Sequence, residues 1–169
     1  MQKDILGRKE FYNRIVEVIR QVLGESVLSI ILFGSVVYLG RGEDVDLIVV
    51  IDRELDIKEK LRLEYEVSQA LFWTFRDVVF DVHIMDMSNF EENLVPGTFL
   101  SGLALGYEIL FDRVNIEEKV LKFLEELSRE RYVLHNKYGS WDLSHYARVL
   151  LETKKRKEEV NFLAFNRFC

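Results

Sequence analysis

The chain has 169 residues, of which 49% are hydrophobic and 31% charged, and its formal net charge is −6. This length and apolar share support one folded domain with a small appendage, while the acidic balance argues against a general nucleic-acid binder, because such proteins neutralise phosphates with Lys and Arg. The single cysteine, Cys169, excludes an internal disulfide and a thiolate metal cluster.

The N-terminal part predicts a helix followed by a buried strand. Met1–Glu10 lacks the apolar core of a signal peptide, and no apolar run is long enough to span a bilayer, so we expect a cytoplasmic protein without a membrane partner. Apolar residues recur at helical spacing from Arg8 to Leu23, and Gly24 is a typical helix stop. Val27–Phe33 is apolar and rich in β-branched residues, which favours a strand.

The next segment is rich in glycine and predicts a phosphate-binding loop. It contains Gly34, Ser35, Gly40 and Gly42. Glycine allows the backbone to adopt positive φ and to approach a ligand closely, and successive exposed N–H groups form an anion-binding concavity. The candidate nucleotide-binding residues are therefore Gly34, Ser35, Gly40 and Arg41.

A second apolar strand begins with two carboxylates. Asp44 and Asp46 are two residues apart, so both side chains leave the same face of the sheet. Their mutual repulsion is relieved by protonation of one of them or by a divalent cation, and hard oxygen ligands suit Mg²⁺ held jointly with phosphates. A plain hairpin with acidic residues at its mouth is the alternative, but the combination of loop and carboxylates favours nucleotide chemistry.

A helix over residues 53–76 is expected to deliver a third strand over residues 78–85. Asp81 interrupts the apolar residues of that strand, and a buried carboxylate is costly unless it is paired or bound to a metal. Asp81 is therefore the candidate third carboxylate, with a salt-bridged or edge-exposed Asp as the alternative. His83 shares its face, where we favour a packed, hydrogen-bonded role over a catalytic one. The predicted apolar face of the helix is formed by Leu55, Leu61, Tyr65, Ala70, Leu71 and Phe72.

The remaining segments complete a four-stranded fold. Residues 89–106 predict a loop and a short apolar helix, and Tyr107–Phe111 predicts the fourth strand. We therefore expect an α+β fold in which a small mixed four-stranded sheet has helices packed on one face. Residues 1–112 would form this core, and residues 113–169 a C-terminal helical extension packed on or beside it.

The extension is expected to contain two helices, over residues 116–133 and 142–163. The basic run Lys154–Lys157 is more typical of a solvated helix face than of a contact with triphosphate or RNA. In the tail, Phe162, Phe165 and Phe168 recur every three residues, which favours packing or self-association over a ligand role.

The Gly34-Ser35 pair, the short glycine-containing loop and Asp44-x-Asp46 on a strand resemble the signature of the DNA polymerase beta-like nucleotidyltransferases. The similarity is closest to the minimal nucleotidyltransferases of archaea and bacteria and covers roughly residues 8–112. It implies the polymerase-beta-like nucleotidyltransferase fold. It also implies that Asp44, Asp46 and Asp81 are catalytic residues and metal ligands.

By the same resemblance, the reaction is transfer of a nucleoside monophosphate from an NTP, with ATP favoured, to an acceptor hydroxyl, with release of pyrophosphate. The implied cofactor is Mg²⁺ in a two-metal site, for which Mn²⁺ can substitute, and Asp81 would serve as metal ligand or base. The implied partner is a helical protein of the HEPN class, as the acceptor in a toxin–antitoxin pair.

The sequence departs from the common pattern in two places. Four residues rather than three separate Ser35 from Gly40, and Glu43 stands where a Ser often precedes the first Asp. The altered loop supports an alternative: a catalytically weakened nucleotide-binding or protein-interaction module of the same fold. A third interpretation, transfer to a small molecule such as an aminoglycoside or to an RNA end, requires an acceptor pocket formed by the C-terminal helices. Homo-oligomerisation and the identity of the acceptor stay open.

Overall fold

The structure is a computed structural model that describes residues 2–40, 42–136 and 139–166, with side chains described for residues 8–40, 42–135 and 139–157. The described helices are α1 (Gln2–Leu23), α2 (Ser35–Tyr38), α3 (Ile57–Thr74), α4 (Met87–Asn93), α5 (Ile116–Arg129) and α6 (Leu143–Asn166). The strands are β1 (Val27–Phe33), β2 (Asp44–Ile51), β3 (Val79–Asp86), β4 (Tyr107–Asp112), β5 (Val133–Asn136) and β6 (Gly139–Asp142). Two short 3₁₀ helices span Gly24–Ser26 and Phe99–Leu105.

The first four strands form one mixed sheet in the order β3-β2-β1-β4. β1 lies antiparallel to both β2 and β4. β2 and β3 are parallel, because α3 forms the crossover between them. The α+β class and the mixed four-stranded sheet predicted from the sequence are confirmed. β3 and β4 are the two edges of this sheet, whereas β5 and β6 form a separate hairpin.

The sheet separates two apolar cores. On one face α1 and α3 pack against alternate residues of β2, and on the other face the Phe99–Leu105 helix, α5 and α6 pack against the intervening residues. The core under α1 and α3 includes Ile15, Ile19, Leu47, Val49, Leu63, Val67 and Leu71. The core under the C-terminal helices includes Ile48, Val50, Leu100, Leu103, Val120, Leu124 and Ala147. Because both faces are covered, β2 is apolar in nearly every position after its two carboxylates.

The helices predicted for the core, α1 and α3, thus share one face, and the C-terminal helices cover the other. α3 is attached to the sheet edge by a polar contact as well as by its core residues. The Glu64 carboxylate accepts a hydrogen bond of 2.9 Å from the Ile84 backbone N–H, a donor that an edge strand otherwise leaves to solvent. Among the described residues, no helix is both long and apolar enough to cross a membrane.

Three short elements and one helix face differ from the sequence-based expectation. α2, α4 and the β5–β6 hairpin replace segments expected to be loops or turns, and α5 ends at Arg129 rather than near Val133. On α3, Leu71 packs in the core as expected, but Leu61, Tyr65 and Phe72 are exposed. Their places toward the sheet are taken by Leu63 and Val67, so that this helix has apolar residues on two faces.

Candidate functional site at the end of the sheet

The predicted carboxylates meet at one end of one sheet face. In the strand register Asp81 is paired with Asp46, Asp46 with Phe33, and Phe33 with Tyr107, so these four residues form one row across the sheet. Asp44 lies two residues before Asp46 on the same face. The acidic half of the row therefore lies on β2 and β3, and the aromatic half on β1 and β4.

Asp46 is the carboxylate in the least favourable environment. Partial burial is the largest factor that raises its pKa above the ordinary value, and the negative charges of Asp44 and Asp81 raise this pKa further. The neighbouring His83 acts in the opposite direction and lowers it. Among the residues that the structure describes, the net effect of the surroundings therefore disfavours the ionised form of Asp46.

Gly34 provides the space that Asp46 occupies. Gly34 has φ of 79°, in the left-handed region that favours glycine, and a Cβ at this position would collide with the Asp46 carboxylate. α2 begins immediately afterwards with Ser35, and its first hydrogen bonds are donated by the Val37 and Tyr38 N–H groups to the Gly34 carbonyl oxygen, so the Ser35 and Val36 N–H groups precede them. Gly40 also has the expected positive φ, 68°, and ends the turn after α2.

An open cleft of about 500 Å³ joins the glycine-rich segment to the carboxylates. Its lining residues are Ser35, Leu39, Gly42, Glu43 and Asp44. The Ser35 hydroxyl lies against Gly42, where a Cβ would collide with it. The predicted phosphate-binding serine and the first predicted metal ligand therefore face the same space, which is large enough for a small ligand.

The described part of the cleft lining is acidic, which is unfavourable for a bare phosphate. Among the five described lining residues, Glu43 and Asp44 are acidic and none is basic. Arg41, the remaining candidate for nucleotide binding, lies outside the described residues. A polyphosphate that enters along these residues meets like charge, so a divalent cation is the natural means of joining the two.

Asp81 lies in a more open position than its apolar neighbours indicated. Because β3 is an edge strand, the Asp81 side chain is 57% exposed, and the expected large desolvation cost does not apply to it. The His83 Nε2 lies 3.6 Å from the Asp81 Oδ2. The His83 ring packs beside Phe99 and Phe33, with ring centroids 5.1 and 6.3 Å away. His83 is thus held by aromatic packing and directed at a site carboxylate.

Phe99 is a neighbour of the site that sequence reasoning missed. It belongs to the 3₁₀ helix after Pro96-Gly97, and its distance along the chain from the Asp-x-Asp strand leaves no local signal of their proximity. Phe99 is exposed, and its ring packs on His83 and Phe33, so it adds an apolar surface beside the residues that neighbour the carboxylates.

Hard carboxylate oxygens are suitable ligands for Mg²⁺ or Mn²⁺. Because Gly34 has no Cβ, the Asp46 carboxylate can lie directly beside the start of the glycine-rich segment. Within residues 8–40, 42–135 and 139–157, however, no three His, Cys, Asp or Glu side chains are already arranged as a metal site. A shared cation therefore requires the half-buried side chain of Asp44 and the exposed side chain of Asp81 to turn toward Asp46.

The basic run Lys154–Lys157 of α6 contains one partly buried residue and three exposed ones. The Lys154 ammonium pairs with Glu117 of α5 and lies 4.3 Å from the centre of the Tyr107 ring. Burial and the adjacent Glu117 raise the pKa of Tyr107, which stays neutral. Lys155, Arg156 and Lys157 are exposed, as a solvated helix face predicts. Lys154 thus connects α6 to α5 through Glu117 and to β4 through Tyr107.

No family model matches the chain, and no curated protein matches it. Among solved structures, it is similar to a chain of the tri-AMPylated Shewanella oneidensis HEPN toxin in complex with MNT antitoxin, at 18% identity and a TM-score of 0.46, covering 70% of this chain and 85% of that one. A toxin–antitoxin structure with AMP-PNP matches at 20% identity and a TM-score of 0.46, covering 68% and 85%. Spectinomycin adenyltransferase from Enterococcus faecialis, with ATP and spectinomycin, matches at 14% identity and a TM-score of 0.43, covering 69% and 65%.

Replacement of Gly34 by Ala should destabilise the fold more than the same change at Gly24. Both glycines have positive φ, and each substitution costs about 1–2 kcal/mol for that reason. Only the Cβ at position 34 also collides with the Asp46 carboxylate, whereas the space at position 24 is open. Urea unfolding should therefore give a lower free energy of unfolding for Gly34→Ala than for Gly24→Ala. Equal losses of free energy in the two variants would contradict the contact between Gly34 and Asp46.

Asp46→Asn should raise the melting temperature at pH 7 in the presence of EDTA. Because the folded-state pKa of Asp46 lies above its ordinary 3.8, the wild type loses stability as the pH rises from about 3.8 through that folded-state pKa. The amide removes this penalty, so the advantage of the variant should vanish below the ordinary pKa, where wild-type Asp46 is protonated. Thermal melts at pH 3 and pH 7 measure both differences, and a less stable variant at pH 7 would refute the carboxylate crowding.

Proposed function

We propose that the chain is a divalent-metal-dependent nucleotidyltransferase that binds an NTP, with ATP favoured, along the Gly34–Asp44 segment. One observation carries the proposal: Ser35 and Asp44 line the same cleft, so a single ligand there would contact both the predicted phosphate-binding segment and the first predicted metal ligand. The register pair Asp46–Asp81 extends this acidic surface across to the neighbouring strand.

In the proposed reaction an acceptor hydroxyl oxygen bonds to the α-phosphorus, and the bond from that phosphorus to the oxygen bridging the β-phosphorus breaks. Pyrophosphate leaves with the electron pair of the broken bond. The backbone N–H groups at the start of α2 and the Ser35 hydroxyl would orient the phosphates, and Asp81 would accept the hydroxyl proton. Asp44 and Asp46 would hold Mg²⁺ or Mn²⁺, with Asp81 as a further ligand where it does not act as the base, and the bound cation would supply neutralisation of the charge on the attacking and leaving oxygens.

The position of Asp81 supports a large acceptor. Its side chain is half exposed on an edge strand, so an acceptor as large as a folded protein can reach it without entering an enclosed pocket. Together with the resemblance of residues 8–112 to minimal nucleotidyltransferases, this favours a hydroxyl on a helical partner of the HEPN class, within a toxin–antitoxin pair. A small acceptor such as an aminoglycoside calls for a more enclosed site than this edge offers.

A weakened nucleotide-binding module is the second candidate, and one observation favours it. Glu43 adds a negative charge to the cleft at a position where the related signature often has Ser. If that charge prevents productive seating of the triphosphate, the chain binds nucleotide without turnover. Incubation with labelled NTP, Mg²⁺ and candidate protein acceptors separates the two functions, because only the transferase moves label to the acceptor.

Asp44→Asn and Asp46→Asn should each reduce label transfer by about two orders of magnitude or more. Each variant loses a charged carboxylate that would hold the cation beside the reacting phosphate. Asp52→Asn is the matched control, since Asp52 is an exposed residue just beyond the other end of β2. Transfer should survive in this control. Wild-type transfer rates in both site variants would rule out the proposed metal-binding carboxylates.

Glu43→Gln should strengthen NTP binding in the presence of Mg²⁺ by about two- to five-fold, since it removes an exposed like charge from the cleft. The exposed Glu54 lies outside the cleft, so Glu54→Gln should leave the affinity unchanged. Calorimetric titration with an NTP provides the measurement. An unchanged or weaker affinity in Glu43→Gln would show that the triphosphate does not lie along this part of the loop.

A further inference from the structure

The outer face of α3 carries an apolar stripe. It consists of Ile57, Leu61, Tyr65, Phe72 and Trp73, each between 53% and 78% exposed. With 1.5 Å of rise per residue, the stripe is about 24 Å long. The inner face of the same helix is fully occupied by its core contacts, so these side chains have no role in packing α3 on the sheet.

The stripe is larger than the isolated apolar residues that a protein surface normally carries. Since an aromatic side chain can bury about 150–250 Å², five large side chains exposed by more than half offer on the order of 600 Å². This area lies at the upper end of the roughly 300–600 Å² of the largest apolar patch on a typical monomer, a patch that is often functional. A standard interface buries roughly 800 Å² per partner, so the stripe would supply about three quarters of one and the polar residues beside it the rest.

We propose that the stripe is the interface between two copies of this chain, with the two α3 helices antiparallel across a twofold axis at Tyr65. The stripe begins at Ile57 and ends at Trp73, and Tyr65 is its midpoint in sequence. An antiparallel pair therefore places the aliphatic half of each helix on the aromatic half of the other. This arrangement satisfies the self-complementarity that a twofold interface requires.

The charges beside the stripe favour the antiparallel arrangement. Arg62 and Glu66 lie next to Tyr65 on the exposed side and pair with each other at 3.3 Å. In an antiparallel pair with its axis at Tyr65, position 62 of one copy faces position 68 of the second, which places Arg62 within one helical turn of the second copy's Glu66, while the two Glu66 residues lie one residue on either side of the axis. A parallel pair would place Arg62 beside Arg62 and Glu66 beside Glu66, which is unfavourable.

This interface leaves the candidate functional site accessible. α3 packs on the face of the sheet that carries Leu47 and Val49, whereas the carboxylates lie on the opposite face. A dimer formed through α3 therefore presents two sites, each with its cleft open. The proposal does not depend on the chemistry proposed for those sites.

The oligomeric state of the full chain tests the proposal. Sedimentation at about 100 μM should give the mass of a dimer, and Tyr65→Glu should give a monomer with an unchanged circular dichroism spectrum, since a charge at the axis meets its own copy. Tyr65→Phe should remain dimeric. Val149→Glu is the matched control, because Val149 is an exposed apolar residue on α6, and it should also remain dimeric.

Cross-linking tests the geometry. In a Cys169→Ser background, Tyr65→Cys should form a disulfide-linked dimer under mild oxidation, whereas Ile57→Cys should not, because its two copies would lie about 24 Å apart and a disulfide requires Cα atoms within about 7 Å. A monomeric wild type, a dimer that survives Tyr65→Glu, or cross-linking at position 57 in place of position 65 would overturn the proposal. In the first case the stripe is free for a different protein.

Discussion

The crowding of three carboxylates at one end of one sheet face is the constraint on which the candidate site depends. Asp46 is held against the backbone of Gly34 and lies beside Asp44 and Asp81, and its raised pKa is the electrostatic result. Protonation of one carboxylate or binding of a cation would lower the electrostatic free energy of this arrangement. The glycine, the short helix α2 and the open cleft border this point, where the proposed function would bring a cation and a phosphate together.

Much of the sheet and its acidic end follows from local sequence. Apolar runs identify β1 and β2, and two-residue spacing places Asp44 and Asp46 on one face without knowledge of the fold. The conformations of Gly34 and Gly40 also follow from residue type, because positive φ is costly for other residues. These features depend on neighbours in the chain, and the corresponding predictions agree with the structure.

Strand order and solvent exposure could not be predicted from local sequence. Val79 and Phe80 beside Asp81 suggested a buried strand, yet β3 is at the edge of the sheet and Val79 is 65% exposed. The packing of Phe99 beside His83 is a contact between distant segments that periodicity does not encode. On α3, apolar residues on two faces gave no basis for deciding which face packs, and the bulkier aromatic residues are the ones left in solvent.

We propose that the acidic cleft binds a triphosphate only together with a divalent cation. The most direct test is the melting temperature of the wild type with Mg²⁺ alone, with α,β-methylene ATP alone, and with both. Because the cation would neutralise the acidic residues that repel the triphosphate, and the triphosphate would add oxygen ligands to the cation, the shift with both should exceed the sum of the separate shifts. A melting-temperature shift with Mg²⁺ and nucleotide together that equals this sum would contradict the proposed cation dependence. So would a full shift produced by the nucleotide in EDTA.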